Sequence, residues 1–145
     1  MITFTTYGTW LQGDKRGYVN NGEICDEDRF LQEANRRNKK YETFRFSKEQ
    51  KEIVKEAIIL EAKRLNQRIY AIAVCSNHVH IAIGYNTMDV DEMARRYKMA
   101  GYFAIKEKGF KGKVWTRGYD KRLCFDEKAL QSRIEYVKRH EGSQR

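Results

Sequence analysis

Apolar residues recur along this chain with two periods, two and about 3.6, and the order in which they alternate outlines a fold. Ile2 to Tyr7 alternates and is rich in Thr, Phe and Tyr, as a half-buried strand is. Residues 8–46 hold no sustained period. Within them Gly17-Tyr18-Val19 and Glu23-Ile24 flank Asn20-Asn21-Gly22, which predicts a hairpin, and the charged stretch Asp26 to Tyr41 predicts a helix. Ser47-Lys48-Glu49-Gln50 has the form of a capping box. Ile53, Val54, Ala57, Ile58 and Leu65 follow at helical spacing, so Lys48 to Asn66 predicts an amphipathic helix. Ile69 to Ser76 and His78 to Tyr85 predict two strands apolar enough to be central in a sheet. Asp89 with Glu92 reads as a second capping box. It precedes a helix carrying Met93, Tyr97, Ala100, Ala104 and Ile105, which runs to Lys108 before Gly109 and Gly112 break it. Val114 to Thr116 and Tyr119 to Phe125 predict a strand interrupted at Arg117-Gly118. Asp126 then caps a last helix with Leu130, Ile134 and Val137 on its buried stripe.

The resulting order, β-α-β-β-α-β followed by a C-terminal helix, predicts an α+β fold. It is the ferredoxin-like split β-α-β pattern, an antiparallel four-stranded sheet with two helices on one face. No linker, repeat or low-complexity segment interrupts the chain, so residues 1–145 read as a single domain.

Composition adds a partner class. At 145 residues and 41% hydrophobic content the chain is long enough to bury one core. Its formal net charge of +9 favours a polyanionic partner, nucleic acid foremost, although charge alone fits a solvated basic surface as well. Cys25, Cys75 and Cys124 are odd in number and widely spaced, as free thiols in a reducing cytosol are, and Cys75 reads as core filler. There is no leader pattern and no stretch of membrane-spanning length, so a soluble cytoplasmic protein is expected.

The candidate chemistry lies in the three histidines. His78 and His80 flank Val79 on a predicted strand, so both imidazoles share one face. If Val79 enters the core, that face is the open one, where a nucleic acid strand can lie. Tyr136 and His140 stand four apart on the last helix and share its flank with Ser132 and Arg133, beside the buried stripe. Imidazoles are common ligands of divalent metals, and Mg²⁺ or Mn²⁺ beside a tyrosine hydroxyl suits phosphodiester chemistry. An H-x-H pair alone is a weak motif, and a tyrosine at a helix edge is more often a packing residue. The joint pattern on a basic chain with no other histidine carries the reading.

His78-Val79-His80, the split β-α-β order and Tyr136 in the last helix together resemble the single-tyrosine HUH transposases of the IS200/IS605 type. The REP-associated tyrosine transposases are close kin. Phe4-Thr5-Thr6-Tyr7-Gly8-Thr9-Trp10-Leu11 and Val114-Trp115-Thr116-Arg117-Gly118-Tyr119-Asp120 resemble segments common in the latter group, and the resemblance covers nearly the whole chain. It implies an enzyme that cuts single-stranded DNA beside a hairpin, forms a 5′-phosphotyrosine, leaves a 3′-OH and rejoins strands in reverse. It implies His78 and His80 as metal ligands and Tyr136 as nucleophile. His140 becomes the third ligand, where many relatives carry Gln or Asn. It further implies hairpin or palindromic DNA ends as partner, and a homodimer.

Arg95, Arg96, Lys113, Arg117 and Lys121 are the candidate DNA contacts, Arg117 foremost because it lies in a turn next to Trp115. Trp10 and Trp115 read as core or sheet packing. Three other functions compete with transposition. One is a non-catalytic binding module on an RNA-recognition-like sheet, whose strand aromatics would stack on bases. The others are a host processor of repeated palindromes, and a plasmid-mobilisation nuclease, which is generally longer.

Overall fold

The computed structural model describes residues 1–21 and 23–143. In chain order the elements are β1 (Ile2–Thr5), β2 (Tyr18–Asn20), β3 (Glu23–Cys25), α1 (Arg29–Arg37), α2 (Lys48–Arg64), β4 (Ile69–Val74), β5 (His78–Ile83), α3 (Val90–Glu107), β6 (Asp120–Lys121) and α4 (Glu127–Ser143). Local chemistry sets several of their ends. The Ser47 hydroxyl accepts from Gln50 N–H while the Gln50 side chain accepts from Ser47 N–H, so α2 opens with the full capping box. Asp126 accepts from the Ala129 N–H at 2.7 Å at the start of α4.

The main sheet runs β4-β5-β1-β6, and each neighbouring pair is antiparallel. The first strand therefore lies inside the sheet, between the third and fourth strands of the α+β pattern, as the split β-α-β order predicts. β2 and β3 pair apart from it as the expected hairpin, with Asn21 at φ 50° in its turn; Gly22 lies outside the described residues.

Alternation on β4 and β5 sends two different residue sets to the two faces. Ile72, Val74, Val79 and Ile81 join Ile2 and Phe4 on one face, where α2 packs Val54 and Ile58 and α3 packs Met93, Tyr97 and Ile105. The other face carries small residues, Ala71, Ala73, Cys75 and Ala82, and on them rest Ile134 and Val137 of α4. Lys55 of α2 and Glu141 of α4 form an ion pair that links the two helical layers.

Several expectations change. The histidine-bearing face is not open: α4 covers it, because its alanines and Cys75 need an apolar partner. Asp89 does cap α3, but it accepts from Asp91 N–H, and Glu92 is held by Arg95 and Arg96 instead of closing a capping box. The helix expected over 26–41 is confined to Arg29–Arg37, capped by Asp28. The last strand shrinks to Asp120–Lys121 with an isolated bridge between Thr6 and Trp115. The break falls at Arg117-Gly118 as expected, and around it the Thr116 and Gly118 carbonyls accept from Lys98 Nζ, at 2.7 and 2.9 Å. Trp115 is core, as expected, whereas Trp10 is not; it stands partly exposed beneath the Arg16 guanidinium.

Candidate functional site

β5 delivers His78 and His80 to the face beneath α4, and α4 brings Tyr136 and His140 down onto them. The ring centroids of His78 and His80 are 4.6 Å apart, and that of His140 lies 5.9 Å from His78 and 4.8 Å from His80. The candidate ligand nitrogens of the three all fall within 4.8 Å of one another. The Tyr136 ring sits 5.3 Å from His80 and 4.3 Å from His140, so the four side chains form one cluster.

Each imidazole is oriented through Nδ1. His78 Nδ1 bonds Asn77 Oδ1 at 2.7 Å, His80 Nδ1 bonds the Thr3 hydroxyl at 2.7 Å, and His140 Nδ1 bonds the Tyr136 carbonyl at 3.0 Å. A carbonyl oxygen only accepts, so His140 carries a proton on Nδ1, and Nε2 is the ring nitrogen left to bind a metal. The same holds for His78 against the amide oxygen of Asn77. A hydrogen bond at one ring nitrogen that presents the other is the arrangement that metal-binding histidines require.

Burial sets the charge. It pushes His78 down to about 4, with smaller contributions from His140 and from the Arg16 cation. It pushes His80, 6% exposed, down to about 3, with further contributions from His78 and His140. Both rings are therefore neutral near pH 7, the state in which imidazole donates to a metal. The three rings fit a divalent cation on donor type and proximity.

Sequence reasoning named all four side chains of this cluster. It missed Thr3 and Asn77. Asn77 adjoins His78 and was open to notice; Thr3 comes from 77 residues away along the chain. It is placed by the register Thr3↔His80, which no local pattern reveals.

The basic candidates are dispersed. Arg95 and Arg96 both bond Glu92 on α3, which packs on the opposite face of the sheet from the histidines. Lys121 pairs with Ile2, on that same helix-covered side. Lys113 Nζ stands 5.0 Å from the Tyr7 ring centroid. Arg117 is exposed, beside Gly118 at φ 85°.

The family model described as "Transposase IS200 like" matches residues 38–140, a stretch that begins after α1 and ends on His140. No curated protein and no solved structure matches the chain. The matched stretch exceeds half of the chain and contains His78, His80, Tyr136 and His140, and on that evidence the chain belongs to the family of IS200-like transposases.

Proposed function

We propose that the chain is a metal-dependent DNA strand transferase, close to the REP-associated kind, that cuts and rejoins single-stranded DNA beside hairpins. The observation that carries this reading is the seating of Tyr136 against His80 and His140, with His78 completing the set. His78, His80 and His140 would hold the cation. When bound, it polarises the oxygens of the scissile phosphate and eases loss of the phenol proton. An all-imidazole set favours Mn²⁺ over Mg²⁺, which prefers oxygen ligands.

The chain's own groups do the rest. Tyr136 Oη bonds to phosphorus as the bond to the 3′ oxygen breaks, giving a 5′-phosphotyrosine and a free 3′-OH. Attack by a 3′-OH on that linkage reverses the step and joins strands. α4 supplies the nucleophile at fixed height because Ile134 and Val137 anchor it on the sheet. Thr3 and Asn77 keep the imidazoles turned. Arg117 and Lys113 are the proposed hairpin contacts. Arg95, Arg96 and Lys121 would meet DNA only away from the cleavage point. We read residues 1–145 as one catalytic unit that acts as a homodimer in the cytoplasm, each subunit handling one DNA end.

The non-catalytic binding module is disfavoured by the sheet itself. Beneath α4 it offers mainly alanines, Cys75 and histidines, and Tyr70 of β4 is half-buried against the same cluster, so the face is not an open platform on which bases could stack. A host processor of palindromes would use the same chemistry; hairpins flanking the gene, as against palindromes scattered through the genome, separate the two.

The test is a hairpin-bearing single-stranded oligonucleotide incubated with protein and Mn²⁺, then resolved under denaturing conditions. A covalent adduct should form, and should vanish in Tyr136→Phe and with chelator. An adduct that survives Tyr136→Phe would sink the assignment of the nucleophile.

A further inference from the structure

The loop between β1 and β2 holds an aromatic and cation pair beside the histidines that the reaction described above does not use. Trp10 is 38% exposed, whereas the other tryptophan, Trp115, is 7% exposed and packed in the core. The guanidinium carbon of Arg16 lies 3.9 Å from the centroid of the Trp10 ring. Both partners are fixed. Trp10 Nε1 donates to the Gly17 carbonyl at 2.8 Å. Arg16 donates through Nε and Nη2 to the two carboxylate oxygens of Asp14, at 2.7 Å each, and through Nη2 to the Thr9 carbonyl at 3.0 Å. Asp14 is buried, which a carboxylate tolerates because a cation is paired with it. Gly13, at φ 95°, packs so closely on the start of α1 that a Cβ there would stand 2.2 Å from the Asp28 carbonyl oxygen.

This hydrogen-bonded loop adjoins the site. The Thr6 N–H and hydroxyl donate to the Asn77 carbonyl at 2.9 and 3.2 Å, and Asn77 Oδ1 holds His78. The Thr9 hydroxyl bonds the Thr6 carbonyl at 2.9 Å, and the Thr9 carbonyl holds Arg16. Arg16 Nη1 donates to none of the described residues. Thr9 also lines a cleft of about 340 Å³ that carries Arg36, Lys39 and Arg45.

We propose that Trp10 and Arg16 seat the nucleotide next to the scissile phosphate. The base stacks on the pair, Arg16 binds the adjoining phosphate, and the strand continues into the cleft of Arg36, Lys39 and Arg45. The chemistry suits single-stranded DNA: every base has a π face, so stacking is tolerant of sequence, and a guanidinium binds phosphate through an edge while its face stays stacked. Because the loop is ordered by its own hydrogen bonds, little further ordering is needed on binding. The inference rests on the strand-transfer reading above.

Trp10 is the exposed one of two tryptophans, so intrinsic fluorescence reports on it. The full chain, in EDTA to stop chemistry, would be titrated with a hairpin oligonucleotide carrying single-stranded tails, following tryptophan emission and oligonucleotide anisotropy together. Emission should be quenched on binding. In Trp10→Phe the quenching should disappear while binding persists, since phenylalanine still stacks. Trp10→Ala should bind roughly tenfold more weakly, within the range for loss of one base–aromatic stack. Arg16→Ala should bind more weakly and lose about one unit of salt dependence. Quenching that persists in Trp10→Phe, or wild-type affinity in a folded Trp10→Ala, overturns the seat. If Trp10→Ala does not fold, the Trp10→Phe result still decides. Adduct formation with Mn²⁺ on the same oligonucleotide separates the two levels. Adduct without Trp10 quenching removes the seat alone, whereas absence of both binding and adduct removes the strand-transfer reading with it.

Discussion

Thr3 holds the most deeply buried of the three imidazoles from a neighbouring strand, with 2.7 Å between its hydroxyl and His80 Nδ1. Thr3→Val keeps the shape and strand preference and removes only that bond. Loss of such an outer partner should weaken Mn²⁺ binding by about 10–100-fold with the fold intact; calorimetric titration reads this, and an unchanged affinity would deny Thr3 its orienting role. Lys98 offers a second test. Burial, helped by nearby Lys113, pushes its ammonium down from 10.5 to about 8. Below about 8 both folded and unfolded chains carry the proton. Between 8 and 10.5 the unfolded chain binds a proton that the folded chain does not, so unfolding free energy climbs with pH. Urea midpoints of wild type relative to Lys98→Met should therefore rise from pH 7.5 to 9.5, and a flat difference would contradict the shift. What could be read locally at this scale was sidedness. His78 and His80 share a strand face by alternation, and Tyr136 and His140 share a helix flank by their spacing of four. Thr3 could not be read, because a β register between residues so far apart has no local sign.

The elements that were legible have either strong periodicity or a complete cap: α2 with Ser47 and Gln50, β4 and β5 with their apolar runs, α4 with Ile134 and Val137. Those that were misread are governed by tertiary bonds. Phe44 and Phe46 lie in a stretch with no period, yet both are core, and their N–H groups donate to the Tyr7 and Ser76 carbonyls at 2.9 and 2.7 Å. Ahead of β6 the Thr116 and Gly118 carbonyls accept from Lys98, a bond across the fold that no local pattern announces. The packing of α2 on α3 depends on one glycine. A Cβ at Gly101 would stand 3.0 Å from Trp115 Cζ2 and 3.3 Å from Val54 Cγ1. Trp115 cannot readily give way: its Nε1 donates to the Lys98 carbonyl at 2.7 Å, and its ring meets Phe4 edge-on with centroids 4.8 Å apart. Overpacking should outweigh the gain in helix propensity, so Gly101→Ala should lower stability by about 1 kcal/mol net in urea denaturation, with an unchanged slope. A variant more stable than wild type would show that the tryptophan can move.

Across the whole molecule the notable point is that one chain assembles all four side chains of the site. α4 folds back over the sheet of its own chain, and the pairing of Lys55 with Glu141 closes the two layers around one edge. With α4 seated on its own sheet, the partner in the proposed homodimer would bring a second DNA end and would not need to supply the tyrosine of the first site. Mixing Tyr136→Phe protein with His80→Ala protein tests this directly. Neither mixed subunit holds a complete set, so adduct formation should not exceed that of the more active single variant. Recovery of activity on mixing would mean that α4 serves the neighbouring subunit. This layout was only partly open to sequence reasoning. The α+β order and the two helices on one face follow from periodicity, whereas the seat of α4 follows from alanines whose partner lies some 60 residues further along the chain.

Those alanines have a further consequence. Ala73 is the direct cross-strand neighbour of His80, and with Ala71 and Ala82 it makes the floor on which α4 rests. The floor works as a spacer: its thickness sets how high the tyrosine rides above the imidazoles. Ala73→Val would add two methyl groups to that spacer and touch no reacting atom. A displacement of about 1 Å can cost 100-fold in rate, so adduct formation should slow far more than Mn²⁺ binding weakens. In this protein the smallest side chains of the sheet would be the adjustment screw of the reaction, and drift at positions that look inert could retune the enzyme.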